Sequence, residues 1–156
     1  MRAYLSGGME HARNLGAGWR SRLHKWIERE LDHEVFNPAV VSEQYLRRYY
    51  PGVSQKRLKR TDLKRFQRLV SGLVRLDCCE IADRTDYVIC LWDESAQKGA
   101  GTKGELTMAK YFGKPVYIVT KMKPNDIPGW ILACTTKLFG SFDELKVFLM
   151  ERYQKK

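Results

Sequence analysis

Two carboxylates stand out by their surroundings. Glu105 directly follows the stretch Gly99-Ala100-Gly101-Thr102-Lys103-Gly104, and Ala109 and Phe112 fall on its own face of the helical pattern that follows. That face should pack on a sheet, which aims the glutamate inward at a ligand edge. In the first turn of a helix, free peptide N–H groups and the helix dipole favour the ionised form. An ionised, partly buried carboxylate is a competent nucleophile or cation stabiliser. The same residues fit Ser/Thr-x-x-Glu, a capping box in which Thr102 and Glu105 only satisfy backbone donors. Asp77 is the second carboxylate. It lies four residues after Leu73 and seven after Val70, on the apolar stripe of a long helical pattern. Burial there is costly, so the spacing calls for a partner, a ligand, or a helix that ends before Asp77.

Other polar residues carry weaker signals. Asp86 opens an apolar run and suits a turn or a cap. Asp93 follows that run at the expected ligand edge, where an ordinary loop aspartate fits equally well. Ser6-Gly7-Gly8 can bring peptide N–H groups close to an anion or form a plain turn. Gly99–Gly104 spells G-x-G-x-x-G, but it follows a later strand across the spacer Asp93–Lys98, and no acidic residue ends a following strand. It therefore lacks the context of a dinucleotide fingerprint, and no Gly-Lys-Ser/Thr makes it a P-loop. No Gly-x-Ser-x-Gly and no histidine at a strand end supports a Ser–His–Asp triad. Cys78, Cys79, Cys90 and Cys134 contain no Cys-x-x-Cys pair, and the three histidines lie far from them. That spacing speaks against structural zinc and for reduced thiols in or near a core.

These side chains need a scaffold, and the hydrophobic pattern supplies one. Met1–Leu5 reads as a first strand ending at Ser6-Gly7-Gly8. Trp19, Leu23, Trp26, Ile27 and Leu31 predict an amphipathic helix over residues 15–31. Glu34–Phe36 reads as a short strand stopped by a turn at Asn37-Pro38, and residues 42–50 as a helical piece broken at Pro51-Gly52. Leu58, Leu63, Phe66, Val70, Leu73 and Leu76 mark one long helix. Asp86–Trp92 is a continuously apolar strand, which implies a sheet covered on both faces. A glycine loop over residues 99–104, a helix from Glu105 to Phe112 and a buried strand from Pro115 to Val119 follow. Residues 131–138 are a candidate fifth strand, and Ser141–Tyr153 closes the chain as a helix. The alternation predicts one α/β domain over residues 1–156, with a mostly parallel sheet of roughly five strands. Ligands are then expected at the carboxyl ends of its strands.

Composition narrows the setting. The 156 residues carry a net charge of +10, and 44% are apolar. That suffices for one core and gives no run of the ~18 apolar residues that a membrane span needs. The N-terminus shows no signal peptide, so a cytoplasmic protein without a membrane partner is expected. Between Arg47 and Arg68 there are nine Lys or Arg and one acid, Asp62, so this stretch alone carries +8. It admits three readings: a solvated helix face, a phosphate-binding patch, or a nucleic-acid-binding helix with Tyr45, Tyr49, Tyr50 and Phe66 stacking on bases.

Several segments taken together resemble one family. Ala3-Tyr4-Leu5-Ser6-Gly7-Gly8-Met9 resembles the opening strand and loop of the nucleoside 2-deoxyribosyltransferases, and Val35-Phe36-Asn37-Pro38 their second strand and turn. Asp77, then Ile81 and Thr85-Asp86-Tyr87-Val88-Ile89, resembles their aspartate segment. Gly101-Thr102-Lys103-Gly104-Glu105-Leu106, then Ala109 and Gly113-Lys114-Pro115-Val116, resembles their catalytic-glutamate segment. The likeness covers most of the chain in the family's order and is thinnest between residues 42 and 70.

The resemblance implies a flavodoxin-like three-layer sandwich and cleavage of an N-glycosidic bond without metal or cofactor. Glu105 would attack the anomeric carbon, Asp77 assist at the base or sugar, and Tyr4 orient the nucleophile. Ser6, Gly7, Gly8, Met9, Gly101 and Thr102 would contact substrate. Gly99 stands where the family often carries Asp or Ser, so Asp93 is expected to take over that contact. The resemblance also implies a homo-oligomer acting on a nucleoside or nucleotide. A non-catalytic nucleotide-binding module and a nucleic-acid-binding protein using residues 47–68 are the alternatives.

Overall fold

A computed structural model describes residues 1–153. Five strands alternate with eight α-helices among these residues. The strands are β1 (Arg2–Gly7), β2 (Glu34–Phe36), β3 (Tyr87–Leu91), β4 (Val116–Val119) and β5 (Lys137–Phe139). They form one sheet in the order β2-β1-β3-β4-β5, and every pairing is parallel. This is the doubly wound flavodoxin-like order, whose switch point falls between β1 and β3.

Side-chain alternation along each strand divides the core in two. Ala3, Leu5, Tyr87 and Ile89 face α1 (Ala17–Leu31) and α8 (Phe142–Tyr153), where Leu23, Ile27, Leu145 and Leu149 cover them. Tyr4, Val88, Cys90 and Trp92 face the other way. They meet Ile81 of α4 (Leu63–Asp83), Leu106 and Ala109 of α6 (Ala100–Tyr111) and Ile131 of α7 (Gly129–Cys134). The apolar run of β3 is thus buried on both faces, as its composition predicts.

The element boundaries correct several expectations. Residues 99–104 are not a loop. Gly99 is the extended N-cap of α6, so Gly101, Thr102 and Gly104 are helical and Glu105 lies in the second turn. The capping box therefore does not form, and the dipole argument for Glu105 loses its basis. Burial of Thr102, Leu106 and Ala109 outweighs the helix cost of two glycines, about 1 kcal/mol each. The stretch after β3 also folds, as α5 (Glu94–Lys98).

Helix α2 (Pro38–Tyr49) begins at the expected turn, because Pro38 occupies its first position and Asn37 Oδ1 accepts from Ala39 N at 3.1 Å. The single long helix is two: α3 (Gln55–Thr61) and α4 meet at Asp62, whose Oδ1 accepts from Arg65 N at 2.9 Å. Helix α1 starts at Ala17, because Asn14, Leu15 and Gly16 are left-handed. Of the candidate fifth strand, residues 131–134 belong to α7 and only the end is extended. No helix among the described residues is long and apolar enough to cross a membrane.

Candidate active site

The two-residue period of β1 decides which side chains reach the switch point. Tyr4 and Ser6 project to the face covered by α4 and α6, and both are fully buried. Above them, α6 lowers Glu105 and α4 lowers Asp77 into one cleft of about 490 Å³. Gly7 at the end of β1 and Gly8 and Met9 just after it form its floor edge, and Gly101 and Thr102 line the α6 wall. Val70, Leu73, Val74 and Ile81 of α4 make the opposite wall apolar.

Glu105 is held by its neighbours. Ser6 Oγ donates to Glu105 Oε2 at 2.5 Å. Burial raises the glutamate's pKa, opposed by the Ser6 hydrogen bond, the neighbouring Tyr4 hydroxyl and the charge of Arg20. Asp77 is pushed up to about 7, first by burial and then by the charge of Glu105, against the opposing pull of Tyr4 and Arg20. Like charges in one cleft resist ionising together, so the pair loses its protons in two steps. Tyr4 Oη closes no hydrogen bond of good geometry, although both carboxyls are near enough to raise its pKa further beyond the effect of burial. Its ring stacks on Phe36 with centroids 5.2 Å apart. One turn past Asp77, buried Glu80 accepts from Arg2 Nε, which pins the end of α4 to β1.

Arg20 is the member of this candidate site that the sequence analysis does not single out. It is fully buried, and its guanidinium donates to the carbonyls of Leu5 (3.2 Å), Gly7 (2.8 Å), Leu15 (2.8 Å) and Gly16 (3.3 Å). It therefore clamps both ends of the loop that floors the cleft. It also offsets the two carboxylates electrostatically. The signal was present: Arg20 precedes Leu23, Ile27 and Leu31 on the buried stripe of α1. A cation on an apolar stripe needs many acceptors or a counter-charge.

Seven of the ten candidate residues line this cleft, and Tyr4 and Ser6 lie directly beneath it. Asp93 does not join them. Its Oδ1 accepts from Ser95 N (2.9 Å), Ala96 N (3.0 Å) and Ser95 Oγ (2.5 Å), so it caps α5. Its surface faces an adjoining concavity with His11, Arg22 and Lys98. Asp86 Oδ2 accepts from Arg2 N at 2.6 Å at the opposite end of the sheet and is structural. The described residues contain no cluster of three or more His, Cys, Asp or Glu spaced to hold a metal ion. Cys90 and Cys134 are buried, and Cys79 is exposed. No protein-family model matches the chain, and no curated protein matches it in sequence.

Proposed function

We propose that this chain cleaves the N-glycosidic bond of a 2-deoxynucleoside or its 5′-monophosphate, with Glu105 as nucleophile. The observation that carries the reading is the pairing of two carboxylic acids in one cleft at the switch point, one of them held by Ser6. The resemblance of these segments to nucleoside 2-deoxyribosyltransferases supports it.

The chemistry follows from the differing environments. The Ser6 donor makes Glu105 the better seat for the negative charge, and Asp77 retains a proton near neutrality. In the first step Glu105 Oε attacks the anomeric carbon as the bond to the base breaks. The bonding electrons leave with the base, and Asp77 gives its proton to a base nitrogen. Such proton donation contributes about 10²–10⁴-fold. A deoxyribosyl ester of Glu105 results, as in retaining glycosidases. In the second step water or another base attacks the same carbon, the ester breaks, and Asp77 takes the attacker's proton. Before the ester forms, the fixed carboxylate stabilises the cationic sugar. The apolar α4 wall suits the flat face of a base.

The test is to incubate the protein with each common deoxynucleoside and its 5′-monophosphate and to follow free base by reversed-phase chromatography. At least one substrate should release base, and Glu105→Gln should lower that rate by about 10³-fold or more while the protein stays folded. Base release at the wild-type rate by this variant would overturn the mechanism. Binding without any release would leave a nucleotide-binding module. Adding a second, different base separates transfer from hydrolysis. With this reading go a cytoplasmic location and the homo-oligomer that the resemblance implies.

A further inference from the structure

The strongest feature outside the cleft is the cationic surface of α3 and α4. Among the described residues Lys56, Arg57, Arg60, Lys64, Arg65 and Arg68 form no ion pair, whereas Arg47 pairs with Glu43 and Lys59 reaches Glu10 at 3.8 Å. Asp62, the one acid of the stretch, is engaged in capping α4. The charge is therefore uncompensated by the protein itself. Lys56, Arg57 and Arg60 line one shallow concavity with Ser54 and Thr61, and Lys64 and Arg68 line a second with Gln67 and Ser71.

Position around α4 decides what this surface faces. At about 100° per residue, Lys64, Arg68 and Arg75 fall within about 40° of one another. Val70, Val74 and Asp77, which line the cleft, lie roughly 130° away around the helix. The row of Lys64, Arg68 and Arg75 is thus turned away from the proposed reaction centre, whereas Lys59 of α3 reaches Glu10 at the cleft edge. The row extends about 16 Å along the helix, more than one phosphate spans.

Aromatic rings border the row on its other side. Tyr45 packs over Gly72 of α4, where a β-carbon would collide with its ring and hydroxyl. Tyr49 lies against Tyr45 with centroids 5.0 Å apart, and Tyr49 is 57% exposed. Arg48 lies over the Tyr49 ring at 5.5 Å. Cations in a row beside an exposed aromatic cluster are the means by which single strands are held, phosphates on the former and bases on the latter.

We infer that the α2–α4 face binds single-stranded nucleic acid, independently of the reaction proposed above. A fluorescein-labelled 20-nucleotide mixed-sequence DNA strand, followed by anisotropy in rising KCl, tests this. The full chain should bind it with Kd below about 100 μM at 100 mM KCl, and log K should fall linearly with log salt. The triple variant Arg60→Glu, Lys64→Glu, Arg68→Glu should bind at least about tenfold more weakly, with a slope shallower by about 2, at ~0.7 per lost contact. Tyr49→Ala should weaken binding about fivefold or more with the slope unchanged. Base release should be unaffected in both variants, which separates this inference from the reaction. No binding, tighter binding of the matched duplex, or unchanged affinity in either variant would overturn it. Binding of phosphatidylserine vesicles in place of the strand would also overturn it.

Discussion

In the proposed reaction Asp77 carries a conflict between stability and chemistry. Its pKa is about 7 in the folded protein against 3.8 for the free side chain. Between those values the folded chain holds a proton that the unfolded chain has released, so this residue's contribution to stability falls as pH rises from about 4 to 7. Asp77→Asn should therefore raise stability at pH 8, by on the order of 1–2 kcal/mol, and the gain should vanish near pH 4. Thermal melts of both proteins at the two pH values measure this. The same variant should lose about 10²-fold or more in base release, and wild-type activity should decline above about pH 7 as the acid deprotonates. The inward aim of both carboxylates was legible from spacing, because a residue four or seven positions from apolar neighbours must share their helix face. The state of Glu105 was not. Its electrostatics depend on where α6 begins, and the glycines that look like a loop are helical.

Helices and loops, rather than single residues, hold the cleft open. Three consecutive left-handed residues, Asn14, Leu15 and Gly16, turn the chain from the β1 loop into α1, and Arg20 holds their carbonyl ends. Removing the guanidinium leaves several buried carbonyls unpaired at once. Arg20→Met should cost about 3 kcal/mol and lower Tm by roughly 6–12 °C. A sharper sign of its role is a higher KM for the substrate whose base is released, since the clamped loop floors the cleft. An unchanged melt and an unchanged KM together would rule the clamp out. Element types were legible because strand and helix periods differ. Their ends were not, since caps such as Asn37, Asp62 and Asp93 are local and short polar residues occur everywhere.

At the scale of the molecule, the order β2-β1-β3-β4-β5 brings together residues far apart in the chain, such as Ser6 and Glu105, 99 positions from each other. The parallel sheet was legible from alternation alone, but no local pattern announces which strands neighbour each other. Leu63 and Val74 on the cleft side of α4 remain 58% and 54% exposed, an apolar edge suited to a second copy. If the chain forms the oligomer proposed above through this edge, Val74→Arg should shift its mass by light scattering to the monomer and depress base release. A monomeric wild type would refute that arrangement.

The junction at Asp62 has a consequence for how the chain can vary. One residue ends α3 and begins α4, accepting from Arg65 N with its side chain and donating its own N–H to Leu58 O. No slack remains between the two helices. Inserting or deleting one residue there would break one of these two hydrogen bonds and shift the positive charges of the first helix against those beyond it. Substitution within this segment is therefore far better tolerated than a change in its length.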